Sequence, residues 1–120
     1  MSHTRDRDID TYTTKDGSQI RELMHPAVHG NRNQSLAEAI VPPGQITQLH
    51  RHGHSEELYH ITRGRGWMTL GEDEFEVSVG DTVAIAPGTP HRIRNTGEEP
   101  LHILCSCSPP YAHDDTELLE

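Results

Sequence analysis

Two stretches decide the fold: residues 44–64, GQITQLHRHGHSEELYHITRG, and residues 80–95, GDTVAIAPGTPHRIRN. Each stretch begins with glycine and is interrupted by further glycine or proline, which punctuates a chain into short segments. His50 and His52 are two positions apart, so on a β-strand both side chains point to the same face. The two stretches therefore predict short β-strands that carry histidines on one face.

The same stretches supply a ligand set for a metal. Three imidazoles, of His50, His52 and His91, and one carboxylate, of Glu57, are donors that a first-row divalent metal accepts. Cα atoms two apart on a strand are roughly 6.6 Å apart, and metal–nitrogen bonds are about 2.0–2.1 Å, so two such imidazoles can converge on one ion. A six-coordinate Mn, Fe, Co or Ni would keep two positions for a substrate or dioxygen, whereas a four-coordinate Zn would be nearly saturated.

Turn residues divide the rest of the chain in the same way. The 120 residues include ten glycines and eight prolines, and they predict about nine strands of roughly five residues, an antiparallel sandwich or barrel. Residues 12–14 and 19–25 form a hairpin around an Asp-Gly turn. Residues 26–34 are expected to form a loop. Residues 35–41 fit helix or strand by composition, and we assign a strand because they run into Pro-Pro-Gly.

Composition limits the kinds of function. The net charge is −9, and there is no basic patch with interleaved aromatics, which argues against nucleic-acid binding. No apolar run reaches the length of a membrane span, and no signal peptide precedes the first strand, so the expected location is cytoplasmic. The expected organisation is a flexible N-terminal arm (1–11), one barrel domain (12–110) and a C-terminal tail (111–120).

At these residues the chain resembles the cupin superfamily. Its first motif, G(X)5HXH(X)3–4E(X)6G, is matched at every fixed position of residues 44–64. Its second, G(X)5PXG(X)2H(X)3N, is matched by residues 80–95 except for its first proline, where Ala86 stands. The resemblance covers roughly residues 35–108. It implies an all-β jelly roll (a double-stranded β-helix barrel), one divalent transition metal (Fe, Mn, Ni, Co or Zn) bound by His50, His52, Glu57 and His91, and commonly a homodimer.

Neighbouring residues leave alternatives open. Glu56 could be the ligand instead of Glu57, but the motif spacing favours Glu57, and alternation turns Glu56 outward. His54 in the following turn is expected in solvent, although it could reach the barrel mouth. His60 is expected on the outer face or at a subunit contact. The face of His102 is left open.

Alternation also predicts what surrounds the metal. Gln48 and Tyr59 are expected to point into the barrel, where each either orients a substrate, supports a metal ligand or merely lines the barrel. Cys105 faces the cavity or is a buried, inert thiol. Met68 and Leu70 are expected in the core. Trp67 is expected outside, under a partner subunit or the N-terminal strand.

Two functions follow. The first is a metal-dependent enzyme of dioxygenase or lyase/isomerase type that acts on a small oxygenated organic compound. The second is a non-catalytic cupin that binds a small carbohydrate or organic acid as a sensor or accessory protein. No acid–base pair is evident beyond the ligands, which keeps the second hypothesis open, and one barrel hosts many chemistries. The expected partners are a small molecule and a second copy of the chain.

Overall fold

A computed structural model describes residues 2–120 and shows a nearly all-β protein. The strands, numbered in chain order, are β1 (Tyr12–Thr13), β2 (Gln19–Met24), β3 (Ser35–Val41), β4 (His50–His52), β5 (Glu56–Arg63), β6 (Arg65–Leu70), β7 (Asp73–Ser78), β8 (Thr82–Ile85), β9 (His91–Asn95), β10 (Leu101–Ser108) and β11 (Thr116–Leu118). The helices are α1 (Pro26–His29) and two 3-10 turns, Asp6–Asp8 and His113–Asp115. None of the helices in residues 2–120 is long and apolar enough to cross a membrane.

The strands form two antiparallel sheets. The first has the order β1-β2-β3-β10-β5-β8, and the second has the order β11-β4-β9-β6-β7. The all-β jelly-roll prediction is confirmed, although hydrogen bonding across residues 2–120 leaves two separate sheets instead of one closed barrel.

Period-two alternation directs side chains into the space between the sheets. On β5 the residues Glu57, Tyr59 and Ile61 are buried while their neighbours are exposed. Across the ladder, Glu57 lies opposite Cys107 and Ile61 opposite Ile103. The pairing therefore gives the interior a polar end near Glu57 and an apolar end near Ile61.

The apolar end is the hydrophobic core. Met68 is fully buried, as predicted, and packs with Ile61, Ile93 and Leu101. Leu70 is only partly buried against this cluster. Trp67, which alternation places on the other face of β6, is 38% exposed.

Residues 26–34, expected to be a loop, begin with the helix α1. Proline at the first helical position has the backbone angle that a helix needs. The ring of His25 accepts a hydrogen bond from the backbone N–H of Ala27, and Gly30 ends the helix at a φ of +86°. A cap at each end stabilises this single turn.

The two ends of the chain differ from the expected arm and tail. Thr116–Leu118 pairs with His50–His52 and adds the edge strand β11 to the second sheet. Near the other end, the hydroxyl of Thr4 donates to the carbonyl of Leu23 at 2.6 Å. These contacts are between residues far apart in sequence, and local composition does not reveal such pairings.

Candidate metal centre

Three histidines meet at the polar end of the interior. His50 lies directly opposite His91 where β4 pairs with β9, and His52 lies on the same face of β4. All three are buried, and one ring nitrogen of each lies within 4.8 Å of the others. Two nitrogens on opposite sides of one ion would be about 4.2 Å apart. The three rings could therefore hold one metal ion after a small adjustment.

Glu57 approaches this cluster from the other sheet. Its Oε1 lies 3.2 Å from Nε2 of His52 and 3.4 Å from Nε2 of His91. Burial alone raises the pKa of Glu57, but a proton on the facing imidazoles of His52 and His91 outweighs it and holds the pKa of the carboxyl at about 2. The carboxylate is therefore ionised at neutral pH. The adjacent Glu56 is exposed.

Backbone carbonyls determine the tautomers of two of the rings. Nδ1 of His50 lies 2.8 Å from the carbonyl oxygen of Gln48, and Nδ1 of His91 lies 3.0 Å from that of Thr89. A carbonyl oxygen only accepts hydrogen bonds, so Nδ1 of each ring carries the hydrogen. In a neutral ring Nε2 then holds a lone pair. Burial, followed by the nearby His91, lowers the pKa of His50 and favours its neutral form.

The hydroxyl of Thr116 determines the tautomer of His52. Nδ1 of His52 lies 3.0 Å from Oγ1 of Thr116 on β11. That hydroxyl donates its hydrogen to the carbonyl of Ala112 at 3.0 Å. Oγ1 must therefore accept from His52, and Nε2 of His52 also holds a lone pair.

The centre thus brings together lone pairs and a negative charge. Nε2 of His91 is buried and has no hydrogen-bond partner among the described residues. Opposed acceptors in a buried site are unfavourable unless a proton or a cation lies between them. A cation would satisfy all three nitrogens and the carboxylate together, so the residues present fit a divalent metal.

Cys107 supports the carboxylate from the neighbouring strand. Its Sγ lies 3.3 Å from Oε2 of Glu57 and donates to it. Burial and the charge of Glu57 raise the pKa of the Cys107 thiol, so the sulfur keeps its hydrogen. The sequence showed two cysteines at alternating positions, but only the pairing of β10 with β5 places one beside Glu57.

Of the other residues predicted to lie near the metal, Tyr59 and Cys105 are in the cavity wall and Gln48 is not. Tyr59 and Cys105 are buried and line the cavity, and the Tyr59 ring packs edge-on to His91 at 5.8 Å. Burial raises the pKa of the Tyr59 hydroxyl well above its usual value. The inward orientation predicted for Gln48 is wrong, because its side chain is exposed. Residues 47–49 are not a regular strand, so alternation counted back from His50 does not apply to them.

Three other histidines lie away from the centre. His102 alternates with the buried residues of β10, and its Nδ1 lies 3.3 Å from Glu38 on the outer face. His60 is exposed beside the hydroxyl of Thr82. The side chain of His54 is 88% exposed, and it contacts Asp115 at 2.6 Å.

A cavity of about 50 Å³ opens beside the histidines. Asp16 borders it, with Oδ2 3.5 Å from Nε2 of His50. In the sequence, Asp16 is part of an Asp-Gly turn signal, and nothing there indicates that it borders the cavity. The cavity lining is Tyr12, Thr14, Asp16, Ser18, Ile20, Glu22, Ser35, Ala37, Ala39, His50, His52, Glu57, Tyr59, Cys105, Cys107, Tyr111 and Thr116.

Comparisons with known proteins agree with this architecture. A family model described as a cupin domain matches residues 37–107. An uncharacterized protein of Methanocaldococcus jannaschii is 59% identical over 112 residues, which are 93% of this chain and 90% of that protein. The polyketide synthase CurC of Streptomyces cyaneus is 30% identical over 108 residues, 86% of this chain and 70% of CurC.

A solved structure shares the fold. The crystal structure of a predicted oxalate decarboxylase from Thermotoga maritima superposes with a TM-score of 0.77 and 24% sequence identity. The match covers 89% of this chain and 98% of the other. At this identity the likeness is one of fold.

Proposed function

Because this chain belongs to the cupin domain family, we propose that it is a metal-dependent enzyme whose ligands are His50, His52, His91 and Glu57. The metal is one divalent transition ion per chain. The substrate is a small oxygenated organic compound, and the reaction is of dioxygenase or lyase/isomerase type.

The observation that carries the proposal is the arrangement of hydrogen-bond acceptors. Each histidine donates Nδ1–H to a fixed acceptor, so each is left with an Nε2 lone pair. The lone pairs of His52 and His91 face Glu57, and that of His50 faces Asp16. Metal-binding histidines in proteins are oriented in this way by a partner on their other nitrogen.

The surrounding residues have separate roles. When bound, the metal supplies Lewis-acid or redox chemistry at substrate oxygens. Cys107 orients Glu57 through its thiol hydrogen. Tyr59, which keeps its hydroxyl proton because burial raises its pKa, is placed to donate a hydrogen bond to a substrate oxygen.

Metal content tests the ligand assignment. Purified protein should contain about one equivalent of transition metal per chain by elemental analysis. His52→Ala and His91→Ala should each lose it, because each removes a nitrogen that no neighbour replaces. His60→Ala, which removes an exposed histidine, should retain it. Full occupancy in both ligand variants would refute the assignment.

Turnover separates the two functions. Protein loaded with Fe(II) or Mn(II) is offered dicarbonyls, catechols and hydroxy acids, and oxygen uptake and products are measured. Product formation that His91→Ala abolishes supports the enzyme. Saturable binding without turnover supports instead a binding protein for a carbohydrate or organic acid.

The cytoplasmic location stays a prediction from the sequence.

A further inference from the structure

Three carboxylates line the cavity beside the candidate metal centre: Asp16, Glu22 and Glu57. No lysine or arginine among residues 2–120 is part of that lining. A divalent metal brings two positive charges, so the cavity wall stays net negative even with the metal bound. We propose that the cavity selects a neutral or cationic ligand that carries hydroxyl or amino groups, and that it rejects organic anions. This inference rests on the proposed function and names its substrate class.

Asp16 presents an acceptor to the cavity. The residue is only 9% exposed. Its Oδ1 accepts from the hydroxyls of Thr14 and Ser18, both at 2.7 Å, and from the N–H of Ser18 at 2.9 Å. The hydrogen bonds of the described residues leave Oδ2 without a donor, and its neighbour Nε2 of His50 is 3.5 Å away.

Glu22 presents a second acceptor. Its Oε2 accepts from the hydroxyl of Tyr12 at 2.7 Å. Its Oε1 is buried and has no partner among the described residues. A buried acceptor without a donor is costly, so a ligand that donates a hydrogen bond gains from meeting it. Hydroxyl and ammonium groups donate, whereas an ionised carboxylate only accepts.

The basic residues near the cavity are engaged elsewhere. Lys15 donates to the carbonyls of His113 and Thr116, at 3.1 and 2.9 Å. Arg21 pairs with Glu38 at 3.0 Å. Sites that recognise carboxylates characteristically supply arginine or lysine, and this cavity supplies acceptors in their place.

Two compounds with the same carbon skeleton but opposite charge test the preference for a cationic ligand over an anion. The first, 3-amino-1,2-propanediol, carries hydroxyls and an ammonium group, and the second, glycerate, has a carboxylate in place of the aminomethyl group. Affinities are measured by calorimetric titration of the Mn(II)-loaded protein. The aminodiol should bind at least about tenfold more tightly, because like charges oppose the entry of glycerate. Glycerate binding as tightly as the aminodiol would overturn the inference.

Variants assign the preference to the two carboxylates. Asp16→Asn and Glu22→Gln should each reduce the affinity ratio of the two probes by about fivefold or more, since each removes a negative charge with little change in shape. Glu76→Gln, at an exposed position on β7, is the matched control and should leave the ratio unchanged. A ratio that both cavity substitutions leave unchanged would also overturn the inference. The wild-type comparison needs no variant and stands if one fails to fold.

Metal-free protein separates this inference from the proposed function. Without metal the cavity is more negative, so the preference should persist, as measured by ligand-observed NMR with the same probes. Wild-type protein that binds no metal by elemental analysis but prefers the aminodiol would refute the metal centre alone. Wild-type protein with about one equivalent of metal that prefers glycerate would refute the charge selection alone.

Discussion

Cys107 shows how a single residue can matter for the candidate metal centre without being one of its proposed ligands. Its thiol donates to the oxygen of Glu57 that faces away from the histidines. A ligand held by such a partner keeps its orientation, and removal of a partner of this kind weakens metal binding. Cys105 lies two residues earlier on the same face, but its nearest hydrogen-bond acceptor is the carbonyl of Ile103.

We therefore predict that Cys107→Ala lowers the metal affinity by about tenfold to a hundredfold. Competition with a chelator of known affinity measures the change. Cys105→Ala is the matched control, since it also removes a buried thiol from the cavity wall, and its metal affinity should stay near that of the wild type. Equal losses in the two variants would mean that cavity packing, not the bond to Glu57, is responsible.

At the scale of elements, β11 is connected to the candidate metal centre. Thr116 on β11 accepts from Nδ1 of His52, so the edge strand sets the tautomer of a candidate ligand. Asp115, just before the strand, accepts from the backbone N–H groups of His54 and Ser55 and from the His54 ring. These hydrogen bonds to Asp115 hold β11 against the turn that follows β4.

The stabilisation of β11 by the hydrogen bonds to Asp115 should depend on pH. Burial raises the pKa of Asp115, but hydrogen bonds from His54 and Ser55 outweigh this and lower its pKa below 3.8. Because the folded-state pKa is depressed, the stabilisation is complete above the unfolded-state value near 3.8 and is lost as the pH falls below it. Amide protection in β11, corrected for intrinsic exchange rates, should therefore decrease as the pH falls below about 3.8.

Substitution should reproduce the effect at neutral pH. Asp115→Asn should reduce amide protection in β11 and weaken metal binding, because Thr116 no longer holds His52 firmly. Asp114→Asn changes the same charge at an exposed neighbouring position and should do neither. Protection that is unchanged in Asp115→Asn would show that strand pairing alone holds β11.

Elements also show where sequence patterns are reliable. Alternation places the buried residues of β5 correctly, because that strand is regular and has one face in the interior. For β10 the sequence left the face of His102 open, and the structure places it on the outer face. Alternation fails at Gln48, because residues 47–49 leave the regular strand and are hydrogen-bonded to other segments, including Asp16. It also misses β11, since a three-residue edge strand is defined by its partner and not by its own composition.

For the whole molecule, homodimerisation remains a prediction, now with a specific face. Leu36 and Leu58 are 38% and 41% exposed on the outer side of the first sheet. Both lie opposite Ser106, so the three residues are adjacent across β3, β10 and β5. Exposed apolar neighbours on a sheet face favour burial against another surface.

We expect a mass in solution of twice the 13.5 kDa chain at micromolar concentration, measured by light scattering. Leu58→Glu should shift the mass towards one chain, because it places a charge in the apolar face. Trp67→Glu tests the outer side of the second sheet, where the sequence suggested a contact. A monomeric wild type would contradict the prediction, and a shift with Trp67→Glu alone would move the interface to the second sheet.

The sequence by itself indicated the all-β fold and placed His50 and His52 on one face, because strand periodicity and glycine-bounded turns are local properties of a chain. The cupin resemblance, not periodicity, added Glu57 and His91 to this pair. Only the tertiary structure decided what surrounds them. Asp16, Cys107 and Thr116 come from three separate elements, and each reaches the centre through pairing between strands far apart in sequence. Such long-range pairing depends on the register of whole sheets, which no short stretch of residues encodes alone.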